Sequence, residues 1–138
     1  MTGKSHRLMA ASGAVLLGAS PLCAGVAALG ATLPDRIEIV GLPHRGVSHW
    51  PWPWALAVWA MWTQNTEWGT VLAWWLAGAL FHIGADLFTV AGVPILLPNW
   101  RLRLGIIRTG SLGEYMVVTL FVVAALVQVL DLPVLKMP

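Results

Sequence analysis

Four apolar stretches separated by polar segments run along the chain, and each stretch predicts helical structure. They cover residues 8–31, 50–62, 68–90 and 114–130. The last stretch rises about 24 Å at 1.5 Å per residue, which is marginal for a hydrocarbon core of roughly 30 Å. The pattern predicts an all-α integral membrane protein with three to five short apolar helices or helical hairpins, in a single domain over residues 1–138.

Pro21 interrupts the first apolar stretch near its middle and leaves two interpretations open. Proline inside a helix removes a hydrogen bond and kinks or breaks the helix. Residues 8–31 could form one kinked spanning helix, or residues 18–21 could form the turn of a helical hairpin. The basic start followed by an uncharged stretch also resembles a signal peptide, but the stretch exceeds the usual apolar core of about 7–15 residues. We therefore expect it to be retained in the membrane.

The composition supports the membrane assignment. Of the 138 residues, 58% are hydrophobic and 10% are charged, whereas soluble domains average roughly a quarter charged residues. The net charge is +2 and the basic residues are scattered outside the apolar stretches, which argues against a nucleic-acid surface and is typical of charges that flank membrane helices. The single cysteine, Cys23, excludes an internal disulfide, and we interpret it as a small packing residue.

The histidines lie in polar islands beside or inside the apolar stretches. They are His6, His44, His49 and His82. His82 and Asp86 stand four residues apart inside the main apolar stretch, so they share one face of the predicted helix. Because burying an ionisable group in such a stretch is costly, this pair is expected to face a partner or a cavity and to have a function.

Helix lengths predict which of these residues meet. The stretch 50–62 rises about 18 Å, and the return from Trp68 to His82 rises about 21 Å. An antiparallel hairpin would therefore bring His82 back to the level of His49. In the same way, a hairpin at Pro21 would bring His6 and Asp35 to one membrane face, whereas a single span would place them on opposite faces.

Imidazole and carboxylate groups together are suitable ligands for zinc, manganese or iron. The candidates are His6, Asp35, Glu38, His44, His49, His82, Asp86 and Glu114. They are too many for one tetrahedral site, so two or three metal ions remain open. Such ions activate water and clamp a phosphoryl or acyl oxygen, which is the chemistry of ester hydrolysis.

Each candidate also has a structural interpretation. His82 and Asp86 could form a hydrogen-bonded pair that only holds helices together, and Glu114 could be a helix N-terminal acid favoured by the dipole. Other polar candidates could be solvated, namely His6, His44 and Arg45. Further arginines are expected to be cytoplasmic anchors: Arg101, Arg103 and Arg108. Ser48 beside His49 lacks the other elements of a nucleophile–base triad.

The motifs HRGVSHW at 44–50, FHIGAD at 81–86 and GSLGEY at 110–115 resemble those of the YdjM family. Its members are bacterial inner-membrane proteins described as LexA-regulated, metal-dependent hydrolases. The resemblance runs from Leu33 to about Val118 and is weaker around SHRL at the N-terminus. It implies these metal ligands: His6, Asp35, His44, His49, His82 and Asp86. It also implies that Arg45 and Glu114 are catalytic-site residues.

The chain departs from the family pattern at three positions. Ile37 stands where the second acid of Pro-Asp-x-Asp is expected, with Glu38 one place later, so either a ligand is lost or Glu38 replaces it. Ser48 and Trp50 replace the usual Thr and Ser around His49. The order of motifs is also distantly similar to that of the all-helical zinc phospholipase C group, which suggests a lipid phosphoester as substrate.

These observations together predict a multi-pass inner-membrane protein with its site at the cytoplasmic face. The predicted function is metal-dependent hydrolysis of an ester or phosphoester of a lipid-like substrate, with zinc as the expected ion and manganese or iron as alternatives. The expected partner is membrane lipid rather than nucleic acid. The alternative is a non-enzymatic membrane interaction or assembly protein whose His/Asp network is structural, and haem binding by paired histidines is a weaker rival.

Overall fold

The computed structural model describes residues 1–38, 45–98 and 100–130. The described chain is mostly helical. Its helices are α1 (Gly3–Leu16), α2 (Pro21–Gly30), α3 (Leu33–Glu38), α4 (Pro51–Trp62), α5 (Glu67–Leu87) and α6 (Leu112–Val129). A short 3₁₀ turn at Val47–His49 precedes α4, and a two-stranded sheet, β1 (Val93–Pro94) and β2 (Arg101–Leu102), lies between α5 and α6.

The first apolar stretch forms a hairpin, as one of the two interpretations predicted. α1 ends at Leu16, Gly18 adopts a left-handed conformation with φ of 85°, and α2 begins at Pro21. Proline suits the first turn of a helix, where its missing N–H has no partner to lose, and the Ser20 hydroxyl caps the same turn by accepting from the Cys23 N–H. The start of α1 and the end of α2 therefore lie at the same end of the bundle.

α5 is the central helix and packs against α1, α2 and α4. Glycine allows the close approach of α2: a Cβ at Gly78 would overlap the carbonyl oxygen of Ala27, and a Cβ at Gly30 would overlap the carbonyl oxygen of Trp75. Small residues at a helix interface let two backbones come close, as is usual for helices that pack in lipid. This contact places the end of α2, and α3 after it, beside the C-terminal half of α5.

The segment between α5 and α6, which carries Arg101, Arg103 and Arg108, contains two short strands that the pattern of apolar stretches did not predict. β1 and β2 pair in antiparallel register with Val93 opposite Leu102, and the Ile106 and Ile107 N–H groups both donate to the Phe88 carbonyl. The basic segment thus folds back over the end of α5, and that helix ends at Leu87 rather than near 90. Long-range backbone hydrogen bonds decide this arrangement, and local patterning does not reveal them.

Two of the described helices, α5 with 21 residues and α6 with 18, are long and apolar enough to cross a membrane. This number is below the three to five apolar helices that the sequence predicted. The other main helices are too short, because 14, 10 and 12 residues in α1, α2 and α4 rise only about 15–21 Å. These three shorter helices pack around α5 and α6. The predicted all-α class is confirmed, whereas the predicted number of apolar membrane helices is too high.

Candidate metal centre

Five of the sequence-predicted ligands meet at one end of the bundle, although they come from four separate elements. His6 lies on α1, Asp35 on α3 and His49 on the 3₁₀ turn, while His82 and Asp86 lie on α5. All three histidines and Asp86 are at most 2% exposed, and only Asp35 is open to the surface. His44, the remaining predicted ligand, lies outside the described residues.

His82 stands at the middle of the cluster. Its Nδ1 is 2.7 Å from the carbonyl oxygen of Ala31, so Nδ1 carries the proton and donates it. The Nε2 atom therefore carries the lone pair, and it lies 3.7 Å from Asp86 Oδ2 and 3.5 Å from Asp35 Oδ1. A backbone carbonyl behind an imidazole is the usual way in which proteins fix the tautomer of a metal-binding histidine.

His49 is oriented in the same way by a carboxylate. Its Nδ1 lies 2.9 Å from Glu38 Oε1, which leaves Nε2 facing the cluster, 3.2 Å from His82 Nε2 and 3.6 Å from Asp35 Oδ1. Burial lowers the pKa of His49 from its ordinary value of 6.5, and the neighbouring Glu38, Asp86 and Asp35 carboxylates only partly offset the effect. Burial therefore favours the neutral imidazole, which is the form that binds metals.

Glu38 occupies a position behind His49 rather than among the atoms that face the cluster. Its Oε1 accepts from the Ser48 hydroxyl at 2.8 Å and from the Arg45 backbone N–H at 2.6 Å, besides contacting His49. The sequence left open whether Glu38 replaces the acid that Ile37 lacks. The geometry instead makes Glu38 a positioning residue for the His49 ring.

His6 packs face to face on His82, with ring centroids 3.6 Å apart and planes inclined by 12°. Its Nε2 lies 3.4 Å from Asp86 Oδ1. The buried Nδ1 atom has no hydrogen-bond partner among the residues that the structure describes. The contact with the Asp86 carboxylate favours a proton on Nε2, so a metal ion bound through Nε2 would require the proton to be on the Nδ1 atom instead.

Arg45 reaches the same carboxylate from the opposite side. It adopts a left-handed backbone conformation with φ of 56°, which is uncommon for a residue other than glycine. Its Nη2 donates to Asp86 Oδ2 at 2.8 Å and its Nη1 to the Thr89 hydroxyl at 3.3 Å. Its buried Nε has no partner among the described residues. A buried guanidinium with donor capacity to spare is suited to contact an anion.

Glu114, the other predicted catalytic-site residue, lies apart from the histidines. It is fully buried and accepts from the Thr2 N–H at 2.7 Å and from the Gly110 N–H at 2.8 Å. These bonds tie the start of α6 to the start of α1, and therefore to His6 one turn further along. The Ser5 and Thr2 side chains also form hydrogen bonds with Glu114, so this carboxylate holds the start of α1 in place.

Sequence reasoning missed two contacts to Asp86. The Met1 amino group donates to Oδ1 at 2.7 Å, and no local pattern indicates this pairing across the bundle. Thr89 accepts from Arg45 and donates to the Asp86 carbonyl at 2.7 Å. Thr89 stands three residues after Asp86 at the end of α5, which puts the two side chains near the same helical turn. This spacing is the only feature of the sequence that could have identified Thr89.

The donor atoms form two overlapping groups of the size that a metal ion requires. One consists of His6, His82 and Asp86 and the other of Asp35, His49 and His82, with the atoms of each group within 4.8 Å of one another. The inferred tautomers also turn two lone pairs toward each other at the 3.2 Å contact of His49 with His82. A cation between them would relieve the repulsion, so the residues fit a divalent ion that binds nitrogen and oxygen.

The fold and the cluster define a class of protein: a helical bundle that has two helices long and apolar enough to span a membrane and a buried His/Asp site at one end. The comparison with protein families agrees. The model described as YdjM inner membrane protein matches residues 1–134, and the chain belongs to this family. No curated protein and no solved structure matches the chain.

Proposed function

We propose that this chain is a membrane-bound metal-dependent hydrolase that cleaves an ester, in particular a phosphoester, of a lipid-like substrate. The observation that carries the proposal is the convergence of three histidines and two aspartates at one end of an apolar bundle. In a chain with only 10% charged residues, such a concentration of ionisable groups, all but Asp35 buried, is costly and is expected to serve a function.

The chain's residues divide the work of such a reaction. The cluster His6, Asp35, His49, His82 and Asp86 would hold the divalent metal, for which zinc is the first candidate and manganese or iron the alternatives. The bound metal would lower the pKa of a water molecule and polarise the ester. Arg45 would orient an anionic substrate group through its guanidinium, whose Nε has no partner among the described residues, and stabilise charge that develops on the reacting oxygen.

An apolar cavity whose lining includes sequence neighbours of the cluster residues supports a lipid-like substrate. It has a volume of about 420 Å³ between α1, α5 and α6, and its lining includes Met9, Phe81, Gly84, Ala85 and Phe88. Ala85 precedes Asp86 directly, and Met9 lies one turn after His6. An acyl chain in this cavity would bring its head group to the cluster, so a membrane lipid could react without leaving the bilayer.

The charge distribution favours the cytoplasmic face for this site. With the α1–α2 hairpin, the basic residues Lys4, Arg7, Arg36, Arg45, Arg101, Arg103 and Arg108 belong to the end of the bundle that carries the cluster. Basic residues that flank membrane helices concentrate on the cytoplasmic side. We propose a multi-pass inner-membrane protein in this orientation.

The test is hydrolysis by the purified protein in lipid nanodiscs, with product release measured on phosphodiester and carboxylester lipids, with added zinc and after chelation. We expect chelator-sensitive release that Asp86→Asn reduces at least 100-fold and Arg45→Lys about tenfold, since lysine cannot reproduce the guanidinium fork. Arg7→Ala, on the exposed side of α1, is the matched control. Release that neither chelation nor Asp86→Asn changes would contradict the proposal.

One observation favours the alternative of a structural His/Asp network in a non-enzymatic membrane protein. Both Asp86 oxygens already contact cationic groups, Met1 on Oδ1 and Arg45 on Oδ2. This alternative predicts that the purified protein holds no stoichiometric metal and cannot be loaded with any, while His82→Ala disrupts folding. Metal analysis of the wild type and of His82→Ala therefore separates the two functions before any substrate is tried.

A further inference from the structure

The two donor groups share His82, yet its ring can serve only one ion. The Nδ1 atom of His82 is occupied by the Ala31 carbonyl at 2.7 Å, so only Nε2 is available, and its single lone pair points in the plane of the ring. Only one of the two donor groups can therefore use His82 as a ligand when both hold an ion. How the other donors are divided follows from the orientation of the rings.

The stacking of His6 on His82 separates their ligand directions. The ring planes are nearly parallel, inclined by 12°, with centroids 3.6 Å apart. A zinc ion lies about 2.0–2.1 Å from an imidazole nitrogen, near the ring plane. An ion that lies in the plane of one ring is therefore too far from the plane of the other ring to be bound by it. The Nε2 lone pairs of His6 and His82 thus point to two separate ion positions.

His49, by contrast, converges with His82 on one position. The rings meet edge to face with planes inclined by 69°, and their Nε2 atoms are 3.2 Å apart. Two bonds of about 2.0–2.1 Å to atoms at this separation subtend roughly 100° at the ion, close to the tetrahedral angle of zinc. Asp35 Oδ1 lies 3.6 Å from His49 Nε2 and 3.5 Å from His82 Nε2. The two nitrogens and this oxygen therefore provide three of the four ligands of a tetrahedral ion.

Asp86 spans the two positions with its two oxygens. Oδ1 lies 3.4 Å from His6 Nε2, whereas Oδ2 lies 3.7 Å from His82 Nε2 and 3.8 Å from His49 Nε2. Each carboxylate oxygen has two lone pairs, so the contacts with Met1 and Arg45 leave one on each oxygen for an ion. The separation of the stacked ring centroids is also close to the distance between the ions of two-metal sites, which is typically about 3.5–4 Å.

We propose that the cluster binds two divalent ions bridged by the Asp86 carboxylate. The inner ion is held by Asp35, His49, His82 and Asp86 Oδ2. The outer ion is held by His6 and Asp86 Oδ1, so it has fewer ligands from the described residues and leaves first on chelation. The inference rests on the proposed function only in taking the cluster to be a divalent-metal site.

The experiment is the zinc content per chain, measured by mass spectrometry after saturation and dialysis, for the wild type and single variants. We expect two ions in the wild type, one in His6→Ala and two in the control Arg7→Ala, which changes an exposed residue on the same helix. Partial chelation of the wild type should remove one ion before the other. A wild type that saturates at one ion, or a His6→Ala variant that keeps two, would overturn the inference.

A second measurement does not depend on how the variants fold. Manganese-loaded wild type should show the paramagnetic resonance spectrum of an exchange-coupled pair, whereas isolated six-line signals at full loading would overturn the bridged pair. The outcome is separable from that of the proposed function. Two bridged ions without ester hydrolysis would refute the hydrolase alone, and hydrolysis by a protein that saturates at one ion would refute the bridged pair alone.

Discussion

Glu38 acts on the cluster through the outer nitrogen of the His49 ring. The 2.9 Å contact with Nδ1 fixes the tautomer that turns Nε2 toward Asp35 and His82. Groups behind a metal-binding histidine typically contribute about 10–100-fold to metal affinity. In the proposed metal site, the residue that the sequence offered as a replacement ligand would therefore orient a ligand without binding the ion itself.

Replacing Glu38 by glutamine tests this role. Glu38→Gln removes the charge and keeps an oxygen acceptor, so we expect zinc affinity to fall about 10–100-fold while the number of ions at saturation stays the same. Competition with a chromophoric chelator measures the affinity. Glu67→Gln, at the exposed start of α5, is the control. A loss of one bound ion at saturation would instead show that Glu38 is a ligand.

The buried His49 makes the stability of the metal-free protein depend on pH. Its pKa lies below the ordinary 6.5 in the folded state, so as the pH falls below 6.5 the unfolded chain takes up the proton first. Stability is therefore highest above this pH and decreases toward pH 5. Thermal unfolding of the metal-free protein should show this decrease, and His49→Gln should weaken it. An identical decrease in both proteins would contradict the assignment to His49.

At the scale of elements, two contacts place the site. The glycines at the α2–α5 interface bring α3, with Asp35, beside the C-terminal half of α5. Glu114 ties the start of α6 to the start of α1, which carries His6. Neither contact includes an atom that faces the cluster, yet both contacts determine where the ligands of the cluster lie.

Filling the α2–α5 interface should separate the two helices. In Gly78→Leu the added side chain meets the Ala27 carbonyl and the Ala31 nitrogen, and overpacking of this kind costs about 1–3 kcal/mol. We expect a lower unfolding temperature and weaker zinc binding, because Asp35 moves away. Gly25→Leu on α2 is the control, since Gly25 is exposed and a Cβ there meets nothing within 4 Å. Equal stability of the two variants would exclude a tight glycine contact.

Glu114 should affect stability more than metal stoichiometry. Glu114→Gln weakens the two bonds to the Thr2 and Gly110 N–H groups, and hydrogen bonds to a charged group contribute about 1.5–3 kcal/mol. We expect a lower unfolding temperature with an unchanged number of bound zinc ions at saturation. A stable variant that has lost an ion would instead make Glu114 a ligand.

At the scale of the whole molecule, the hairpin at Pro21 sets the topology. Both ends of the α1–α2 pair lie with the cluster, and the α4–α5 turn near Gln64 lies at the far end of the 21-residue α5. The proposed orientation therefore makes the cluster end cytoplasmic and the α4–α5 turn periplasmic.

Thiol labelling of single-cysteine variants tests the orientation in a Cys23→Ser background. Gly3→Cys and Arg36→Cys should react only with reagents that reach the cytoplasmic face, and Gln64→Cys should react from the periplasm. All three positions are exposed, so each is accessible to reagent. Labelling of Gly3→Cys and Arg36→Cys from opposite faces would contradict the hairpin.

Local patterning was sufficient to predict most helices of this protein and its most informative pair. Apolar stretches bounded by polar residues predicted α4, α5 and α6 within a few residues, because a helix in an apolar environment needs a continuous run of apolar residues, which can be seen in the sequence. The four-residue spacing placed His82 and Asp86 on one face. Pro21 offered the hairpin as one of two alternatives, since proline restricts its own backbone wherever it stands.

Only the tertiary structure decided which groups contact one another across the bundle. The stacking of His6 on His82, the place of Glu38 behind His49 and the contacts of Arg45 with Asp86 and Thr89 join residues from different elements. The division of the cluster into two positions likewise depends on ring planes and carboxylate oxygens. Spacing along a chain places residues on the face of a helix, but the directions of their side chains are set by packing against other elements.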